Sequence, residues 1–483
     1  MRMYFMGICG AAMGNVALLM RSEGHEVFGC DEGVYPPMSD VLKSNGIEVY
    51  EGFDAARLKA LTPDLVVVGN VVSRGHPEME WLLDTRSFPY VSMPELLQEY
   101  LLNKRNAIVV TGTHGKTTTA SLTAYLLRAC GLEPGYLIGG VPRDLPSGAT
   151  IGNTADPFVI EGDEYDSAFF DKRSKFIHYP PSVLIINNIE FDHGDIFRDL
   201  EDVKRSFRHL LRIAPKSAYV LVNGDDDNIA SLLPIDWACV LRVGVGEGND
   251  LRIKDFHEDQ SGAVFELVWQ GKSWGRVKSN LGGLYNVRNM AMAALASALS
   301  LNAQDPTSFP LDALSSFQGV KRRQELLHED ARMIVIEDFG HHPTAIEDTL
   351  VSLKKRYPNH RLFACYEPRS NTACSKVFEE RMPGVFACAD RTWVGKIHRG
   401  EGIPQSSRID LDAVCARVNA TKGPQCAEAF SSNEALLDSL LNHVKLCASQ
   451  PSSKQLVCFF SNGSFDGVMQ AFVDTLKHSN GAS

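Results

Sequence analysis

The sequence predicts an α/β protein built from three domains with mostly parallel sheets. The chain has 483 residues, and a usual domain size of about 100–200 residues suggests about three domains. Apolar runs with strand character alternate with helical patterns along nearly the whole chain. This alternation is typical of parallel sheets covered by helices. The 44% apolar content is ample for several hydrophobic cores.

The composition excludes several classes of protein. A net charge of -11 argues against a general nucleic-acid binder, which needs clustered Lys and Arg. The eleven cysteines include no C-x-x-C pair, so reduced thiols are expected rather than a disulfide framework or a zinc site. The sequence carries no indication of the oligomeric state.

The N-terminal stretch "MRMYFMGICGAAMGNVALLM" superficially resembles a signal peptide. Gly7, Gly10 and Gly14 interrupt its apolar run, and the strand-like segment "HEVFGCD" follows directly. No stretch reaches the roughly 20 apolar residues of a membrane span. We therefore expect a cytoplasmic protein without membrane insertion.

Three units can be followed along the chain. The first contains the strands "MYFMGI" and "HEVFGCD", and ends at the polar segment near Lys104. The second contains the strands "AIVVTGT", "PFVIEGD", "SVLIINNIE", "SAYVLVNGDD" and "AVFELVW", and the long helix "NVRNMAMAALASALS". The third begins after "GVKRRQE" and contains the strands "ARMIVIEDF", "HRLFACYEP" and "QLVCFFSNG".

The most specific local pattern is a strand, a glycine-containing turn and a helix, "IVVTGTHGKTTTASLTAYLLRACG". Such a P-loop cradles phosphates with backbone N–H groups, while Lys116 reaches the outer phosphates and Thr117 binds magnesium. The usual pattern has a further glycine where this chain has Val110, so the turn is a shorter form. The predicted ATP-binding residues of the turn are Gly112, Thr113, His114, Gly115, Lys116, Thr117 and Thr118.

Carboxylates follow two further apolar strands, in "PFVIEGDEYD" and "IINNIEFDHGD". Ligands of open α/β sheets lie at this end of the strands. Magnesium needs few protein ligands beside phosphates and water, and we predict Thr117, Glu164 and His193 as those ligands. A helix cap or a surface polar pair is the alternative for Asp192 and His193.

Basic residues follow these acids in "DKRSK". Lys172, Arg173 and Lys175 either face anionic substrates or lie on a solvated face.

The N-terminal turn "GICGAAMG", with Asp31 at the end of the next strand, resembles a dinucleotide-binding fingerprint. Its contact residues would be Gly7, Cys9, Gly10 and Asp31. However, Cys9 replaces the glycine that lets the backbone approach a pyrophosphate. Three alternatives stay open: a nicotinamide-dependent oxidoreductase, a site for the diphosphate of another nucleotide, and a turn without a ligand.

Taken in order, these motifs resemble the Mur ligases, ATP-dependent enzymes that form amide bonds in peptidoglycan synthesis. The resemblance covers almost the whole chain and rests on "GICGAAMG", "TGTHGKTTT", "EGDEYDSAF", "NIEFDHGD", "YNVRN", "GVKRRQE" and "EDFGHHP". It implies a Rossmann-like N-terminal domain for the UDP-sugar at 1–104, a central P-loop ATPase domain at 105–324, and a Rossmann-like C-terminal domain for the amine substrate at 325–483.

The resemblance also implies roles for individual residues. Lys116, Glu164 and His193 fall at catalytic positions of the family, around phosphate, magnesium and the acyl phosphate. Asn286 and Asn289 fall at positions that contact the adenine base of ATP. Arg323, or its neighbour Arg322, and Asp338 fall at positions that contact the nucleotide from the domain junction. Without the resemblance, the two asparagines read as a helix cap and an exposed polar residue, and the two arginines as a solvated linker.

Four segments indicate which Mur ligase reaction to expect: "DEGVYPPMSD", "YDSAFFDKRSKFIHY", "YEPRSNT" and "FFSNGSFDG". They imply an enzyme of peptidoglycan recycling that joins UDP-N-acetylmuramate to the tripeptide L-alanyl-γ-D-glutamyl-meso-diaminopimelate through an acyl phosphate. The alternative is a UDP-N-acetylmuramate–L-alanine ligase. Either reaction uses ATP, Mg²⁺ and small-molecule substrates.

The tripeptide carries several carboxylates, so arginines that bind them bidentately are expected in the C-terminal domain. Arg369, His341 and His342 are the predicted tripeptide-binding residues. For the two histidines, the alternative is that they only precede a helix.

One departure from the family concerns a second magnesium. Several Mur ligases bind a second magnesium through a carbamylated lysine. The corresponding position of this chain is Arg208, and the nearby Lys204 does not fall at that position. We therefore assign no ligand to a second metal.

Overall fold

The computed structural model describes residues 1–301, 305–398, 403–448 and 454–480. Within these ranges, three large sheets and one two-stranded hairpin succeed one another along the chain, and helices separate most of the strands. Most neighbouring strands are parallel, so the predicted α/β class is confirmed. No helix in the described ranges combines the length and apolar character needed to cross a membrane.

The N-terminal domain has a parallel five-stranded sheet in the order β3-β2-β1-β4-β5. Helix α1 starts directly after the predicted glycine turn, as expected. The elements are β1 (Arg2–Met6), α1 (Ala11–Ser22), β2 (Glu26–Asp31), α2 (Met38–Ser44), β3 (Glu48–Glu51), α3 (Ala55–Leu61), β4 (Leu65–Val68), α4 (Pro77–Thr85), β5 (Tyr90–Ser92) and α5 (Met93–Tyr100).

The central domain has a ten-stranded sheet in the order β17-β16-β15-β14-β13-β12-β6-β9-β7-β8, while β10 and β11 form a separate hairpin. The elements are β6 (Ala107–Thr111), α6 (Lys116–Ala129), β7 (Gly135–Leu137), β8 (Ala149–Thr150), β9 (Phe158–Glu161), β10 (Asp166–Ala168), β11 (Asp171–Ser174), β12 (Val183–Ile186), α7 (Leu200–Ile213), β13 (Tyr219–Asn223), α8 (Asp227–Ala230), β14 (Cys239–Gly244), β15 (Leu251–Asp259), β16 (Gly262–Trp269), β17 (Lys272–Ser279) and α9 (Leu284–Ser300).

The C-terminal domain has a six-stranded sheet in the order β18-β19-β23-β20-β21-β22. Within the described ranges of this domain, β18 alone runs antiparallel to its neighbour, and this strand precedes the first predicted strand of the domain. The elements are β18 (Glu325–Glu329), β19 (Met333–Asp338), α10 (Pro343–Arg356), β20 (His360–Tyr366), α11 (Met382–Phe386), β21 (Arg391–Val394), α12 (Leu411–Lys422), β22 (Ala427–Ala429), α13 (Asn433–Ala448), β23 (Lys454–Phe460) and α14 (Val468–Asn480).

The strands that carry the predicted motifs are neighbours in the central sheet. Strand β6 lies between β9 and β12, and both pairings are parallel. All residues of β6 and β12 are buried because helices cover both faces of the sheet. The loops after β6, β9 and β12 therefore meet at one edge, where a ligand site of an open sheet is expected.

The linker between the central and C-terminal domains is residues 319–324. Gly319, Arg322 and Gln324 all have positive φ angles, so the chain bends sharply there. The Arg322 guanidinium holds this bend because it contacts Glu337 Oε1 at 2.5 Å and donates to the carbonyls of Ser461 and Gly463.

Candidate active site

A cavity of about 830 Å³ lies between the central and C-terminal domains. Its walls are the turn after β6, the loops after β12 and β13, the start of α9, the linker and the start of α10. Of the predicted site residues, it is lined by Thr113, His114, Gly115, Lys116, Thr117, Thr118, His193, Asn286, Asn289, Arg323, Asp338, His341 and His342.

The phosphate loop, residues 112–117, joins β6 to α6. Gly112 and Gly115 have φ angles of +124° and +80°, which non-glycine residues rarely adopt. A Cβ atom on Gly115 would lie 2.6 Å from Asn289 Oδ1, so the loop packs tightly against helix α9. Val110 is a buried residue of β6, which explains why the turn is shorter than the usual form.

Two asparagines after β12 hold the phosphate loop in place. Asn188 Oδ1 accepts a hydrogen bond from the His114 backbone N–H at 2.7 Å, and its amide donates to the His114 carbonyl at 3.2 Å. The Asn187 amide donates to Thr119 Oγ1 at 3.0 Å. These contacts join the phosphate loop to the segment after β12.

Lys116 lies across the loop with its ammonium group surrounded by oxygen atoms. Nζ is 2.7 Å from the Gly112 carbonyl and 2.7 Å from Glu164 Oε2. Burial alone would lower the pKa of Lys116, but Glu164 beside it raises this pKa above its ordinary value. The lysine is therefore a stable cation at the place where phosphates are expected.

Oxygen ligands suitable for magnesium surround Thr117. Its hydroxyl donates to Glu161 Oε1 at 2.9 Å. The side chain of Glu164 is buried, and its Oε1 has no hydrogen-bond partner among the described residues. A buried carboxylate oxygen without a partner is costly unless a cation or a donor occupies its vicinity. The donor set of Thr117, Glu161 and Glu164 therefore fits Mg²⁺.

His193 lies at the cavity wall with a left-handed backbone, φ +56°, which is uncommon outside glycine. Its ring packs on Tyr165 with centroids 4.4 Å apart. The neighbouring Asp192 is buried and lies 3.5 Å from His341 Nε2. Burial opposes ionisation of Asp192, but His341 and His193 hold its pKa far below the usual range.

Glu190 connects the phosphate loop with the C-terminal domain. Its Oε2 is 2.9 Å from His114 Nε2, and its Oε1 accepts from Thr344 Oγ1 at 2.8 Å. His114, Glu190 and His342 have ligand atoms within 4.8 Å of one another. However, His342 Nδ1 accepts the Thr344 backbone N–H at 3.3 Å as the N-cap of α10, so its lone pair is not free for a metal.

The residues predicted to contact the base lie at the start of α9. The Asn286 amide donates to the Gly282 carbonyl at 2.7 Å, and the Asn289 amide lies 3.5 Å from Asn286 Oδ1. Both asparagines are buried and line the cavity. Asn286 is thus hydrogen-bonded to the turn that precedes α9.

The two arginines of the linker differ in their contacts. Arg322 is held by Glu337 and two carbonyls, whereas no hydrogen bond of the Arg323 guanidinium is found within the described ranges. Arg323 stacks on Phe339, with Cζ 4.7 Å from the ring centroid, and lies near Asp338. Burial raises the pKa of Asp338 above its ordinary value, and the charge of Arg323 opposes this rise. Arg323 is therefore the more available of the two for a phosphate.

The N-terminal glycine turn lies in its own domain, outside this cavity. The Cys9 backbone N–H donates to Asp31 Oδ2 at 2.8 Å, and the Gly10 N–H donates to the Gly7 carbonyl at 3.3 Å. Gly7 has a φ angle of +79°. The Asp31 carboxylate thus stabilises the turn itself.

Arg369 also lies outside the cavity, at the end of β20. Its side chain packs against Gly463, where an added Cβ would lie 2.4 Å from Cζ, and its Nη1 is 3.9 Å from the buried Glu367. The polar residues after it cap a turn, since the Ala373 backbone N–H donates to Ser370 Oγ at 3.1 Å. Glu367 thus stabilises the charge of Arg369 at the C-terminal edge of the sheet.

The basic residues of "DKRSK" pair with acids of the same segment. Lys172 is 2.8 Å from Asp166, and Lys175 is 2.5 Å from Asp163. Arg173 binds both oxygens of Asp171. The turn of the β10–β11 hairpin lies between the acidic and the basic run, and the Lys172–Asp166 pair joins its two strands.

Helix α7 carries the two residues considered for a second metal site. Arg208 is partly exposed and lies 3.4 Å from Glu201. Lys204 is buried but contacts the same glutamate at 3.4 Å. Neither residue lines the cavity.

The predicted site residues do not include Asn187, Asn188, Glu190 or Glu161. All four line the cavity. The signal was present, because polar residues directly after buried parallel strands point to the ligand edge. By itself the motif "NNIE" indicates only a carboxylate at a strand end, because its role in holding the phosphate loop depends on the β6–β12 pairing.

Known proteins share both the sequence and the fold of this chain. Residues 2–105 match the model of the Mur ligase family catalytic domain, and residues 110–298 match that of the Mur ligase middle domain. An Escherichia coli K12 protein named UDP-N-acetylmuramate–L-alanyl-γ-D-glutamyl-meso-2,6-diaminoheptandioate ligase is 39% identical over 479 residues, 99% of this chain and 98% of that protein.

Two solved structures support the comparison. A murein peptide ligase from Psychrobacter arcticus is 34% identical, with a TM-score of 0.67 over 99% of this chain and 98% of its own. The UDP-N-acetylmuramate–alanine ligase of Thermotoga maritima shares the fold at 22% identity, with a TM-score of 0.74 over 99% of this chain and 100% of its own.

Fold and site together define a P-loop ligase that uses ATP to form a carbon–nitrogen bond. The chain belongs to the Mur ligase family. The family resemblance and the enzyme class predicted from the motifs are therefore confirmed, and the nicotinamide-dependent oxidoreductase is not supported.

Proposed function

We propose that this protein joins UDP-N-acetylmuramate to the tripeptide L-alanyl-γ-D-glutamyl-meso-diaminopimelate, with conversion of ATP to ADP and phosphate. The observation that carries this proposal is the 39% identity, over 99% of the chain, to the E. coli ligase named for these substrates. The reaction belongs to peptidoglycan recycling, and we propose that it takes place in the cytoplasm.

The proposed chemistry has two steps. The muramate carboxylate oxygen attacks the γ-phosphorus of ATP, which forms an acyl phosphate and releases ADP. The neutral alanyl amine of the tripeptide then attacks the acyl carbon, the carbon–oxygen bond to phosphate breaks, and the amine proton leaves to solvent or a phosphate oxygen. Phosphorylation is needed because a free carboxylate has no suitable leaving group.

In this proposal the phosphate loop and the linker stabilise the transferred phosphoryl group. Backbone N–H groups at the start of α6 point toward the phosphates, and Lys116 and Arg323 neutralise the negative charge. Thr117, Glu161 and Glu164 would hold Mg²⁺, which supplies positive charge next to the phosphates. His193 lines the same cavity, and we propose it at the acyl-phosphate end.

We also propose the domain limits 1–104, 105–324 and 325–483. The N-terminal domain would bind the UDP-sugar at Gly7, Cys9, Gly10 and Asp31, and the C-terminal domain would present the tripeptide. The linker at 319–324 supports the second limit because its bend separates the two sheets.

The first test measures phosphate release from ATP and Mg²⁺ with UDP-N-acetylmuramate, and compares the tripeptide with free L-alanine. We expect release with the tripeptide and loss of release when EDTA removes the metal. Release with L-alanine alone would instead identify a UDP-N-acetylmuramate–L-alanine ligase. Release with neither amine would refute the ligase proposal.

A second test concerns Arg369 as a ligand of a tripeptide carboxylate. The variant Arg369→Ala should raise the KM for the tripeptide by about tenfold or more, because a bidentate charged contact is lost. The KM for ATP should stay unchanged. An unchanged KM for the tripeptide would remove Arg369 from the site.

A further inference from the structure

The C-terminal half of helix α10, in the C-terminal domain, contacts the central domain through one stripe of polar residues. Thr349 Oγ1 lies 3.2 Å from the Tyr285 hydroxyl, and Ser352 Oγ donates to Glu258 Oε2 at 2.6 Å. Arg356 follows one turn later. Thr349 and Ser352 are 2% exposed, so this contact, which we call the α10 seam, is closed to solvent.

The carboxylate of Glu258 connects the α10 seam to the start of α9. The same Oε2 atom that accepts from Ser352 also accepts the Gly283 backbone N–H at 2.8 Å. Gly283 is the N-cap residue of α9 and has a φ angle of +93°. One partly buried carboxylate thus joins a helix of the C-terminal domain to the first turn of α9.

Arg356 makes a second connection to this turn, at Gly282, which is the residue before Gly283. A Cβ atom on Gly282 would lie 2.4 Å from Arg356 Cδ, so the arginine packs directly on this glycine. The Gly282 carbonyl is the acceptor of the Asn286 amide at 2.7 Å. Arg356 also donates to Gln324 of the linker at 3.1 Å. The position of Asn286 in the cavity is therefore linked to that of α10.

We propose that Glu258, Ser352 and Arg356 are positioning residues for the purine base of the nucleotide. None of them lines the cavity, but together they fix the turn 282–286 that carries Asn286. The C-terminal domain would then determine base recognition without touching the base. This inference rests on the proposed function, because it takes ATP as the ligand of the cavity.

The test uses binding of a non-hydrolysable ATP analogue and the preference for ATP over inosine triphosphate in kcat/KM. Ser352→Ala and Glu258→Ala should each weaken binding of the analogue by about fivefold to tenfold, because each removes the charge-assisted hydrogen bond between α10 and Glu258. Both should reduce the preference for ATP, while kcat at saturating ATP changes less than the KM for ATP.

Two further variants separate positioning from general stability. Glu258→Gln keeps an oxygen that accepts both hydrogen bonds, so it should restore analogue binding close to the wild-type value. Lys355→Ala removes an exposed side chain from the same helix turn and should leave both readouts unchanged. If Glu258→Ala does not fold, Ser352→Ala and Arg356→Lys carry the test.

The proposal is overturned if the alanine variants lower the melting temperature but keep wild-type analogue binding and base preference. The seam would then be only a structural contact. Analogue binding needs no amide product, so this result is distinct from a failure of the proposed function, which would appear as absence of phosphate release by the wild-type protein.

Discussion

Gly115 illustrates how a single residue can be required by both backbone geometry and packing. Its φ angle of +80° disfavours any residue with a Cβ atom, and Asn289 leaves no room for that atom. The sequence indicates the first requirement through the glycine-lysine motif. The second depends on helix α9, which lies more than 150 residues later in the chain.

We expect Gly115→Ala to abolish nucleotide binding, since about 1–2 kcal/mol of backbone strain is combined with a steric clash. Gly24→Ala is a matched control, because Gly24 has a φ angle of +86° and, apart from its chain neighbours, no described residue has an atom within 4 Å of the added Cβ. It should lose stability but bind the nucleotide normally. Titration calorimetry measures nucleotide binding by both variants. Equal binding by the two would contradict the packing argument.

The pKa of His342 makes a separate prediction about stability. Burial, and then His114, lower this pKa from 6.5 to about 3 in the folded protein. Between these values the unfolded state binds a proton that the folded state does not, so stability falls as the pH drops from 6.5 toward 3. The slope for this group approaches about 1.4 kcal/mol per pH unit.

The variant His342→Asn should therefore reduce the loss of stability on acidification, while the asparagine keeps the N-cap of α10. Melting temperatures of both proteins at pH 7 and pH 5 measure the effect. An equally large decrease in both proteins would show that His342 does not titrate in this range.

Individual elements show which patterns the sequence reveals. The buried parallel strands β6, β12 and β13 are apolar runs and were predicted. The strands β15, β17 and β18 were missed, because charged residues interrupt them and one face is exposed. Their strand character comes from antiparallel pairing with neighbours, which the local sequence does not specify.

Helix α4 carries a buried carboxylate that joins several elements of the N-terminal domain. Glu78 is 0% exposed and accepts from the Tyr4 hydroxyl at 2.8 Å and from Arg57 Nη2 at 3.0 Å. Its Oε1 also accepts the Asp54 backbone N–H at 2.9 Å, at the start of α3. This carboxylate therefore connects the sheet with two helices.

We expect Glu78→Gln to destabilise the N-terminal domain by about 2 kcal/mol, because the partly buried Arg57 loses its counter-charge. Glu80→Gln is the control, since its partner Arg74 is 71% exposed and such surface pairs contribute little. Thermal unfolding compares the two variants. Similar melting temperatures for both variants would show that the buried pair contributes no more to stability than the exposed pair.

At the scale of the whole molecule, the cavity is formed by two domains, and the N-terminal glycine turn lies in a third. Acyl transfer from the UDP-sugar requires these parts to come together around ATP, and domain closure is the usual way to exclude water from such a site. The bend at 319–324, with three left-handed residues, is a short segment at which the C-terminal domain can reorient.

Small-angle scattering should show a smaller radius of gyration when a non-hydrolysable ATP analogue, Mg²⁺ and UDP-N-acetylmuramate are added together. The variant Lys116→Ala loses a charge that binds phosphate, so the same ligands should not compact it. Absence of compaction in the wild-type protein would argue against closure.

Local sequence patterns were sufficient to predict the α/β class, the phosphate loop, the family and the carboxylates at the ends of the strands. These features depend on local patterns, since strand, turn and helix are adjacent in the chain. Tertiary structure alone showed that Asn187 and Asn188 hold the loop, that Arg323 rather than Arg322 is available, and that α10 contacts the turn before α9. These contacts join residues distant in the chain, and their geometry follows only from strand order and domain packing.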